Sequence, residues 1–466
     1  MNVGVERAFV GLAVAVLVGS LLAVGAAPGG ASPGAATSRG LAFDPGVPDE
    51  YAFDPQTRDG VATVDGREFD SLQAAVEAAD PADTVVLRGR FDERVVVDTP
   101  NVTLRSAPGT MAVVDGGGEG DTLTLNGESV TVRRVWVRNS GFDASGNDAG
   151  VWVNGTGARI VDSRVTEVTF GIWVDGVDGV LVRNNTVVGR EEVTPLSYRG
   201  NGIQLWKTEA SRVVGNRITD VRDGIYYSWA HGVVARNNTM WDLRYGVHYM
   251  YSDDCRLVDN LAFDNDVGYA LMVSKRLELA GNVAVNNTGT SGHGILVKDI
   301  DDTVIRNNSL VANDRGIYVY NSLNNTIAGN LALENRVGVQ LTAGSVDERV
   351  HGNSFVHNDR AVLAVTSQQV AWNASERGNY WSGARVADLD RDGVSEVRHR
   401  PAGLVEHLVH ERPQAAVFAE SPAFDAIRLA GSAFPVVDSP GVVDHHPLAE
   451  PPHEDWRRYY VRDRRD

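Results

Sequence analysis

The chain of 466 residues has little cysteine and little lysine: one cysteine, Cys255, and three lysines among 43 basic residues. A single cysteine excludes an internal disulfide. The 61 acidic residues outnumber the basic ones and give a net charge of −18. This charge repels phosphate backbones, which excludes general nucleic-acid binding. An acidic surface dominated by arginine also stays hydrated in concentrated salt.

The composition describes a folded chain that is too long for one ordinary core. It has 43% hydrophobic residues, 49 glycines and 17 prolines, which excludes wholesale disorder and collagen. A single compact core stops growing at roughly 250–300 residues. A chain of this length therefore contains either several domains or a repeat array.

The longest apolar run lies at the amino terminus. Residues 8–27 are almost wholly apolar and end in small residues before a Gly/Pro/Ser stretch, which predicts a secretory signal. About 20 apolar residues can also just span a bilayer, so an uncleaved anchor is the alternative. Both interpretations place the bulk of the chain outside the cytoplasm. Residues 28–60, rich in Gly, Pro, Ala and Asp, are predicted to form a flexible linker.

From about residue 150 the chain repeats itself every 22 residues, with one step of 26. The repeat is marked by a glycine followed by an apolar or aromatic residue, at Gly202, Gly224, Gly246, Gly268, Gly294, Gly316 and Gly338. An asparagine recurs about fourteen residues later, at Asn216, Asn238, Asn260, Asn282, Asn308, Asn330 and Asn353. A regular period of this size indicates a solenoid.

The local pattern identifies the kind of solenoid. The residues one and three positions after each glycine are apolar or aromatic, which is the period of a strand, and no helical stretch lies inside a repeat. The sequence therefore predicts an all-β fold, a single-stranded parallel β-helix over residues 61–383. Asparagines stacked in register are expected to hydrogen-bond along a turn. Short helices at 71–79 and 422–434 are predicted to cap the two ends, the second within a carboxyl-terminal extension, 384–466.

If the first and third positions face the core, the second and fourth face outward. Six large aromatic residues fall in these two columns: Trp152, Trp173, Trp206, Tyr226, Tyr318 and Tyr320. An exposed apolar strip of this length predicts a partner or ligand surface. The alternative is a loop or terminal segment folded over the strip.

A histidine and two methionines meet within the same strip. Met250 and Met272 occupy one column on consecutive coils, and His248 lies two residues along the same face. Two thioethers and an imidazole are ligands that suit Cu(I), so these residues form a predicted copper site. A plain hydrophobic contact patch is the alternative. Cys255 could join the site only if its turn bends back.

The outward columns offer little acid–base chemistry. They contain one carboxylate, Asp175, whereas β-helix lyases and glycosidases need clustered carboxylates or a basic residue. Another carboxylate column precedes successive glycines by four residues, at Asp220, Asp242 and Asp264. Arg222 and Arg244 follow the first two by two residues, which predicts neutralised turn ladders. Catalysis is therefore the less favoured interpretation.

An acidic loop follows the last coil. Asp388, Asp390 and Asp392 alternate, a glycine is sixth, and Glu396 is ninth. This is the oxygen-ligand spacing of a Ca²⁺ loop, although His399 stands where a full EF-hand has glutamate. The spacing predicts calcium, and an Asx-rich turn without metal is the alternative.

Several non-repeat elements resemble the NosD family of nitrous oxide reductase maturation proteins. The most specific element is R-Y-G-V-H-Y-M-Y-S, from Arg244 to Ser252. It is supported by G-I-Q-L-W from Gly202, by G-N-Y-W-S from Gly378 with the acidic loop behind it, and by F-P-V from Phe434 leading to P-G-V-V-D from Pro440. The resemblance covers most of the chain and implies a right-handed, pectate-lyase-like β-helix of the carbohydrate-binding and sugar-hydrolase type.

The resemblance also implies an extracytoplasmic, non-catalytic role. The family works with an ABC-type ATPase and a membrane permease to supply copper to nitrous oxide reductase, either by passing Cu(I) or by docking the copper donor protein and the reductase. His248 and Met250 lie in the matching element, and Met272 is added from coil geometry. The alternatives are a secreted protein that binds or degrades polysaccharide through its outward aromatic rings and a purely structural rod.

Overall fold

The computed structural model describes residues 41–47, 58–342, 344–364, 369–402, 414 and 441–460. Within these residues, no helix is long and apolar enough to cross a membrane. The apolar leader at 8–27 and the second capping helix at 422–434 lie outside the described residues, so both stay predictions. The linker at 28–60 is described only at 41–47 and from residue 58 onward.

The chain divides into two compact units, 1–47 with 458–466, and 48–457. In the first unit, Leu41 forms an antiparallel bridge with Tyr460. The sheets and the candidate site described below belong to the second unit. It is a parallel β-helix, so the predicted all-β fold is confirmed.

Three long sheets, here called sheets A, B and C, run along the solenoid. Sheet A has 14 strands, in the order Arg67–Phe69, Val61–Val64, Thr84–Arg88, Thr103–Ser106, Thr131–Arg133, Arg159–Val161, Leu181–Arg183, Arg212–Val214, Val234–Arg236, Arg256–Val258, Glu278–Ala280, Val304–Arg306, Thr326–Ala328 and Arg349–His351. Sheet B has 13, in the order Arg90–Asp92, Ala112–Asp115, Val135–Arg138, Arg164–Thr166, Thr186–Val188, Arg217–Thr219, Thr239–Trp241, Leu261–Phe263, Val283–Val285, Ser309–Val311, Leu331–Leu333, Ser354–Val356 and Tyr380–Trp381. Only the first two pairings of sheet A are antiparallel.

Sheet C carries the glycine repeat and has 12 strands. They are Val95–Val97, Leu123–Leu125, Ala149–Val153, Phe170–Asp175, Ile203–Trp206, Asp223–Ser228, Tyr245–Met250, Val267–Lys275, His293–Asp301, Arg315–Tyr320, Val337–Leu341 and Arg360–Ala364. A small fourth sheet has the order Gln369–Ala371, Gly441–Asp444 and His399–Ala402. Single-turn 3₁₀ helices occupy Leu196–Tyr198 and Trp456–Tyr459.

Asparagine ladders support the turns, as the sequence predicts. From Asn185 to Asn379, each side-chain amide donates to the side-chain oxygen of the next asparagine at 2.9–3.0 Å. A second ladder, which the sequence analysis did not identify, runs from Asn265 to Asn358. These side chains are mostly buried, so each bond satisfies a polar group that would otherwise cost about 1–3 kcal/mol.

The repeated glycine faces the core, and this changes which residues point outward. A Cβ on Gly224 would lie 2.5 Å from the carbonyl oxygen of Gly246 and 2.8 Å from the Met240 side chain, so no side chain fits there. Ile225, the next residue, is also in the core. Two consecutive inward positions shift the alternation. The residue before each glycine therefore shares the outer face with the second and fourth positions after it.

The amino-terminal cap is a short helix, Leu72–Glu77. Ser71 begins it by accepting a hydrogen bond from the Ala74 amide, and Leu72, Ala75 and Val76 are buried against the first coil. The predicted helix at 71–79 is confirmed with shorter bounds. It covers the open end of the β-helix, where backbone and apolar side chains would otherwise be exposed.

Candidate functional site

The strand Tyr245–Met250 lies in the middle of sheet C and carries the predicted metal ligands. In the register, His248 lies between Tyr226 and Ala270, and Met250 lies between Ser228 and Met272. The two methionines are direct partners on neighbouring strands, which lie about 4.8 Å apart in a sheet. The expected shared column of Met250 and Met272 is confirmed.

The histidine is held by a carboxylate that the sequence analysis missed. Asp223 Oδ2 lies 3.0 Å from His248 Nδ1, and Asp223 also accepts from Arg244 Nε at 2.8 Å and from its Nη2 at 2.5 Å. Asp223 is fully buried, and Arg222 Nε lies 3.8 Å away. Asp223 directly precedes Gly224, so it belongs to the outward column created by the inward glycine.

The charges fix the tautomer of the imidazole. Burial alone would raise the pKa of Asp223, but the Arg244 charge and the hydrogen bond with His248 hold it well below the usual 3.8. Burial lowers the pKa of His248 below 6.5, so the ring is neutral at pH 7. An ionised carboxylate can only accept, so Nδ1 carries the proton and Nε2 keeps its lone pair.

That second nitrogen has no partner. His248 Nε2 is buried without a hydrogen bond, and the residue is 7% exposed. Two tyrosine rings stand edge-on to the imidazole, Tyr226 at 4.6 Å and Tyr245 at 5.0 Å between centroids. A buried nitrogen lone pair on a ring oriented by a carboxylate is the arrangement found in metal-binding histidines.

The thioethers lie in an apolar cluster rather than in solvent. Met272 is 9% exposed and packs with Val267, Ala270 and Leu296, while Met250 is half-buried against the same cluster. The expectation that these groups face open solvent is wrong for His248 and Met272, because neighbouring side chains of the same face cover them. Soft sulfur donors in apolar surroundings fit Cu(I), and the ligand assignment stays a prediction.

Cys255 does not join this cluster. It is 1% exposed and lies in the main core, where its Sγ is 3.2 Å from the carbonyl oxygen of Asp253. Burial raises the pKa of its thiol to about 12. The turn does not bend back, and the protonated thiol is a poor metal ligand.

The aromatic strip does lie on the outer face, but much of it is buried. Trp152 and Trp173 are 8% and 7% exposed because their rings stack on each other at 5.0 Å between centroids, with Phe170 edge-on to Trp173. Trp206, Tyr226 and Tyr318 are half-buried. Tyr320 is 42% exposed. The expectation of a continuous exposed strip is therefore wrong. The role of these residues as a partner surface stays a prediction.

An open groove of about 350 Å³ begins one residue beyond the two methionines, neither of which lines it. Its lining is apolar or aromatic at Trp229, Tyr251 and Val273, and the rest of it is polar: His231, Asp253, Ser274, Lys275, Asp299 and Asp301. Tyr251 and Val273 directly follow Met250 and Met272, and Trp229 stacks on Tyr251 at 4.8 Å between centroids. Trp229 is 48% exposed, so this groove is where the outer face becomes accessible.

A second histidine on the same face was also missed. His293 directly precedes Gly294, is buried, and stacks on Tyr318 at 4.9 Å between centroids. Its Nδ1 is buried without a partner, and burial lowers its pKa to about 3. Chemically polar residues immediately before the repeated glycine were the signal that could have identified both Asp223 and His293.

The predicted neutralised carboxylate column is wrong. Arg244 pairs with Asp223 instead, and Asp220, Asp242 and Asp264 occupy left-handed turn positions with φ of 59°, 56° and 55°. Short polar residues tolerate this conformation, which explains their recurrence. The outer face also holds Asp223 besides Asp175, in the column directly before the glycines, where it lies beside His248.

The acidic loop brings its three aspartates together. Carboxylate oxygens of Asp388, Asp390 and Asp392 lie within 4.8 Å of one another. The loop also bonds internally: Gly393 N donates to Asp388, Asp392 N to Asp390, and Val394 N to Asp392. Glu396 is not in this group and accepts from Leu389 N. Calcium binding here stays a prediction, beside the Asx-turn alternative.

Comparison with known proteins identifies related chains. The family described as periplasmic copper-binding protein (NosD) matches residues 184–385. The probable ABC transporter binding protein NosD of Pseudomonas aeruginosa is 38% identical over 408 residues, covering 82% of this chain and 94% of that protein. The protein of the same name from Stutzerimonas stutzeri is 35% identical and covers 78% and 86%.

Solved structures with a similar chain path include an alginate lyase and a mannuronan epimerase. A PL6 alginate lyase in complex with a trisaccharide has a TM-score of 0.45 at 14% identity, covering 64% of this chain and 85% of that one. The A-module of the Azotobacter vinelandii mannuronan C-5 epimerase AlgE4 has a TM-score of 0.43 at 17% identity, covering 66% and 88%.

Proposed function

Because the chain belongs to the NosD family of periplasmic copper-binding proteins, we propose that it carries Cu(I) on the outer face of sheet C. It would act outside the cytoplasm as a non-catalytic accessory protein in the maturation of nitrous oxide reductase. Its relatives are named probable ABC transporter binding proteins. The proposed partners are accordingly an ABC-type ATPase and its permease, a copper donor protein and the reductase.

The observation that carries this proposal is the unpartnered Nε2 of His248. A buried polar atom without a hydrogen bond destabilises the fold by about 1–3 kcal/mol. Such an atom calls for an explanation, and a metal ligand that is waiting for its ion is one. The Asp223 carboxylate keeps the proton on Nδ1 and therefore keeps this lone pair available. Asp223 itself is bonded to Arg244 and His248, so it orients the ligand and is not a ligand.

The donor set suits a cargo ion that is bound and then released. His248, Met250 and Met272 are all neutral at pH 7, and thioethers select Cu(I) over hard ions such as Mg²⁺. Their number is small, and none is a thiolate, since Cys255 lies elsewhere in the core. Weak, soft ligands allow transfer to a protein with stronger ones.

The groove beside Met250 and Met272 is the proposed place of exchange. Its rim of Trp229, Tyr251 and Val273 offers an apolar surface one residue beyond each methionine. Aromatic side chains at an accessible edge are the groups enriched where proteins contact each other. The half-buried Tyr226 and Tyr318 and the exposed Tyr320 would extend this contact along sheet C.

A Cu(I) titration with sulfur-deleting variants tests the site. Wild-type protein, Met250→Leu, Met272→Leu and His248→Ala are titrated anaerobically against a chromophoric Cu(I) chelator. Each variant is expected to bind at least about 10-fold more weakly, because it loses one ligand. Met240→Leu is the matched control, since Met240 is a core methionine of sheet B. Equal affinity in all five proteins would refute the site.

A polysaccharide-acting protein is the second candidate, because Asp223 and His248 together resemble an acid–base dyad. A sugar would have to reach Nε2, which is buried, whereas a single ion needs far less room. Copper is therefore favoured. A glycan array with a reducing-end assay separates the two: cleavage lost in His248→Ala would support the enzyme.

A further inference from the structure

The outer face of sheet A carries a regular line of arginines. It runs over six consecutive strands from Thr131–Arg133 to Arg256–Val258. In each of these strands the middle residue is buried in the core and the two flanking residues lie on the outer face, where Val161 is covered by its neighbours. One outward residue per strand is arginine, and the six form what we call the arginine file: Arg133, Arg159, Arg183, Arg212, Arg236 and Arg256.

The register makes the file a zigzag. Arg159 pairs with Leu181 and Leu181 with Arg212, while Arg183 pairs with Val214 and Val214 with Arg236. An arginine is therefore never directly opposite another within the file, and successive guanidinium-bearing residues are diagonal neighbours, about 7–8 Å apart. Five steps of about 4.8 Å make the file roughly 24 Å long.

The file is unusual in a chain with a net charge of −18. Its six strands offer twelve outward positions, two on each, and none of the twelve is a carboxylate; the other six are five aliphatic residues and one threonine. Within the described part of the chain, Arg159, Arg183, Arg212 and Arg236 form no ion pair. At the two ends Arg133 lies 3.5 Å from Asp162 and Arg256 lies 2.7 Å from Glu278.

We propose that the arginine file binds a linear polyanion, an acidic polysaccharide laid along the solenoid axis. Guanidinium groups bind carboxylates in a bidentate fashion, and a line of them matches a chain that carries one anionic group on each unit. At physiological salt the screening length is about 8 Å, so acidic groups elsewhere on the surface are largely screened from an anion in direct contact with the file.

The shape of the file decides between possible polyanions. It is two residues wide, and Asp162 and Glu278 flank its ends, so a flat anionic bilayer would meet acidic groups as well. The twelve positions include no aromatic ring, so the stacking platform that single-stranded nucleic acid requires is missing. Outside the cytoplasm, where this family acts, an acidic polysaccharide is the linear polyanion that fits.

Two quadruple variants test the proposal. The file variant replaces Arg159, Arg183, Arg212 and Arg236 by glutamine. The control variant replaces four arginines that are exposed elsewhere and also form no ion pair within the described residues: Arg217, Arg360, Arg385 and Arg391. Both variants change the net charge from −18 to −22, since each loses four positive charges. Far-ultraviolet circular dichroism and thermal unfolding establish that both fold.

Binding to fluorescently labelled polyuronate is measured from 20 to 300 mM salt. We expect the full-length wild-type protein and the control variant to bind with similar affinity, and the file variant to bind at least about 10-fold more weakly with a shallower salt dependence. Neutral dextran should not bind. Equal losses in both variants, no binding of polyuronate, or tighter binding of anionic vesicles, single-stranded DNA or polyglutamate than of polyuronate would overturn the proposal.

Discussion

Asp223→Asn is expected to weaken Cu(I) binding although Asp223 is not a ligand. In the wild type the ionised carboxylate can only accept, so it holds the proton on His248 Nδ1. An asparagine amide can donate to Nδ1 instead, which moves the imidazole proton to Nε2 and removes the lone pair that we propose as the metal ligand. Loss of such an orienting group typically costs about 10- to 100-fold in metal affinity, or about 1.4–2.7 kcal/mol.

The assay is anaerobic competition with a chromophoric Cu(I) chelator, with the pure protein's thermal unfolding recorded in parallel. Asp254→Asn is the matched control. Asp254 accepts two hydrogen bonds from Arg276 on the next coil, both at 2.7 Å, but touches no imidazole. We expect the control to bind Cu(I) within about twofold of wild type, because it loses an ion pair without affecting the tautomer of His248.

A double variant separates orientation from charge. Asp223→Asn alone leaves Arg244 without its counter-ion, and an extra positive charge would itself repel Cu(I). Asp223→Asn combined with Arg244→Gln removes both charges and leaves the tautomer unfixed. If orientation dominates, the double variant stays about as weak as the single one. If Asp223→Asn binds Cu(I) with wild-type affinity, the proposed role of Asp223 is refuted. If the double variant regains wild-type affinity, Asp223 acts only by neutralising the charge of Arg244.

Three further outcomes are expected. Cu(I) affinity should stay constant as pH falls through 6.5 and decline only below it, because burial lowers the pKa of His248 and protons compete later than for a free imidazole; a competition titration from pH 8 to 5 measures this. Glu348→Gln should stabilise the protein at pH 8 by about 3 kcal/mol and by little at pH 4. Burial raises the Glu348 pKa from 4.5 to about 7, so the wild type loses stability as pH rises from 4.5 to about 7; urea unfolding at pH 4 and pH 8 tests this. Ca²⁺ should raise the unfolding temperature of wild type but not of Asp390→Asn, as measured by calorimetry with Mg²⁺ as control.

The fold was predictable from the sequence because a solenoid repeats the same local structure in every coil. Each repeat has a glycine at one position and an asparagine at another, and both recur seven times. Their spacing defines the coil length without any knowledge of tertiary contacts. The ladder from Asn185 to Asn379 then follows from stacking, since side chains in the same position of consecutive coils must meet. The pairing of Met250 with Met272 is predictable for the same reason.

The position of Asp223 beside His248 was not predictable from the alternation of inward and outward residues alone. Strict alternation assigns the residue before each glycine to the interior, whereas Gly224 and Ile225 both face inward and turn Asp223 outward. The burial of the strip was also missed. Alternation decides which face a side chain occupies, but stacking between coils, as between Trp152 and Trp173, decides how much of it solvent reaches.

Exchange of the Cu(I) that we propose would require a part of the site that can move, and the turn after Met272 holds a residue poorly suited to its conformation. Val273 has φ of 49°, a left-handed conformation that is strongly disfavoured for a β-branched residue, and it is 37% exposed at the groove. Strain of this kind costs about 1–3 kcal/mol and persists only when neighbouring structure imposes it. The equivalent position is left-handed in the neighbouring coils as well, with φ of 55° at Trp229, 53° at Tyr251 and 55° at Asp299, so Val273 differs from them in its β-branched side chain and not in its backbone. Met272 is therefore followed by the one β-branched residue of this series, while His248 is fixed by Asp223 within the strand. If the proposed site holds Cu(I), we expect release to begin at Met272 and to end at His248.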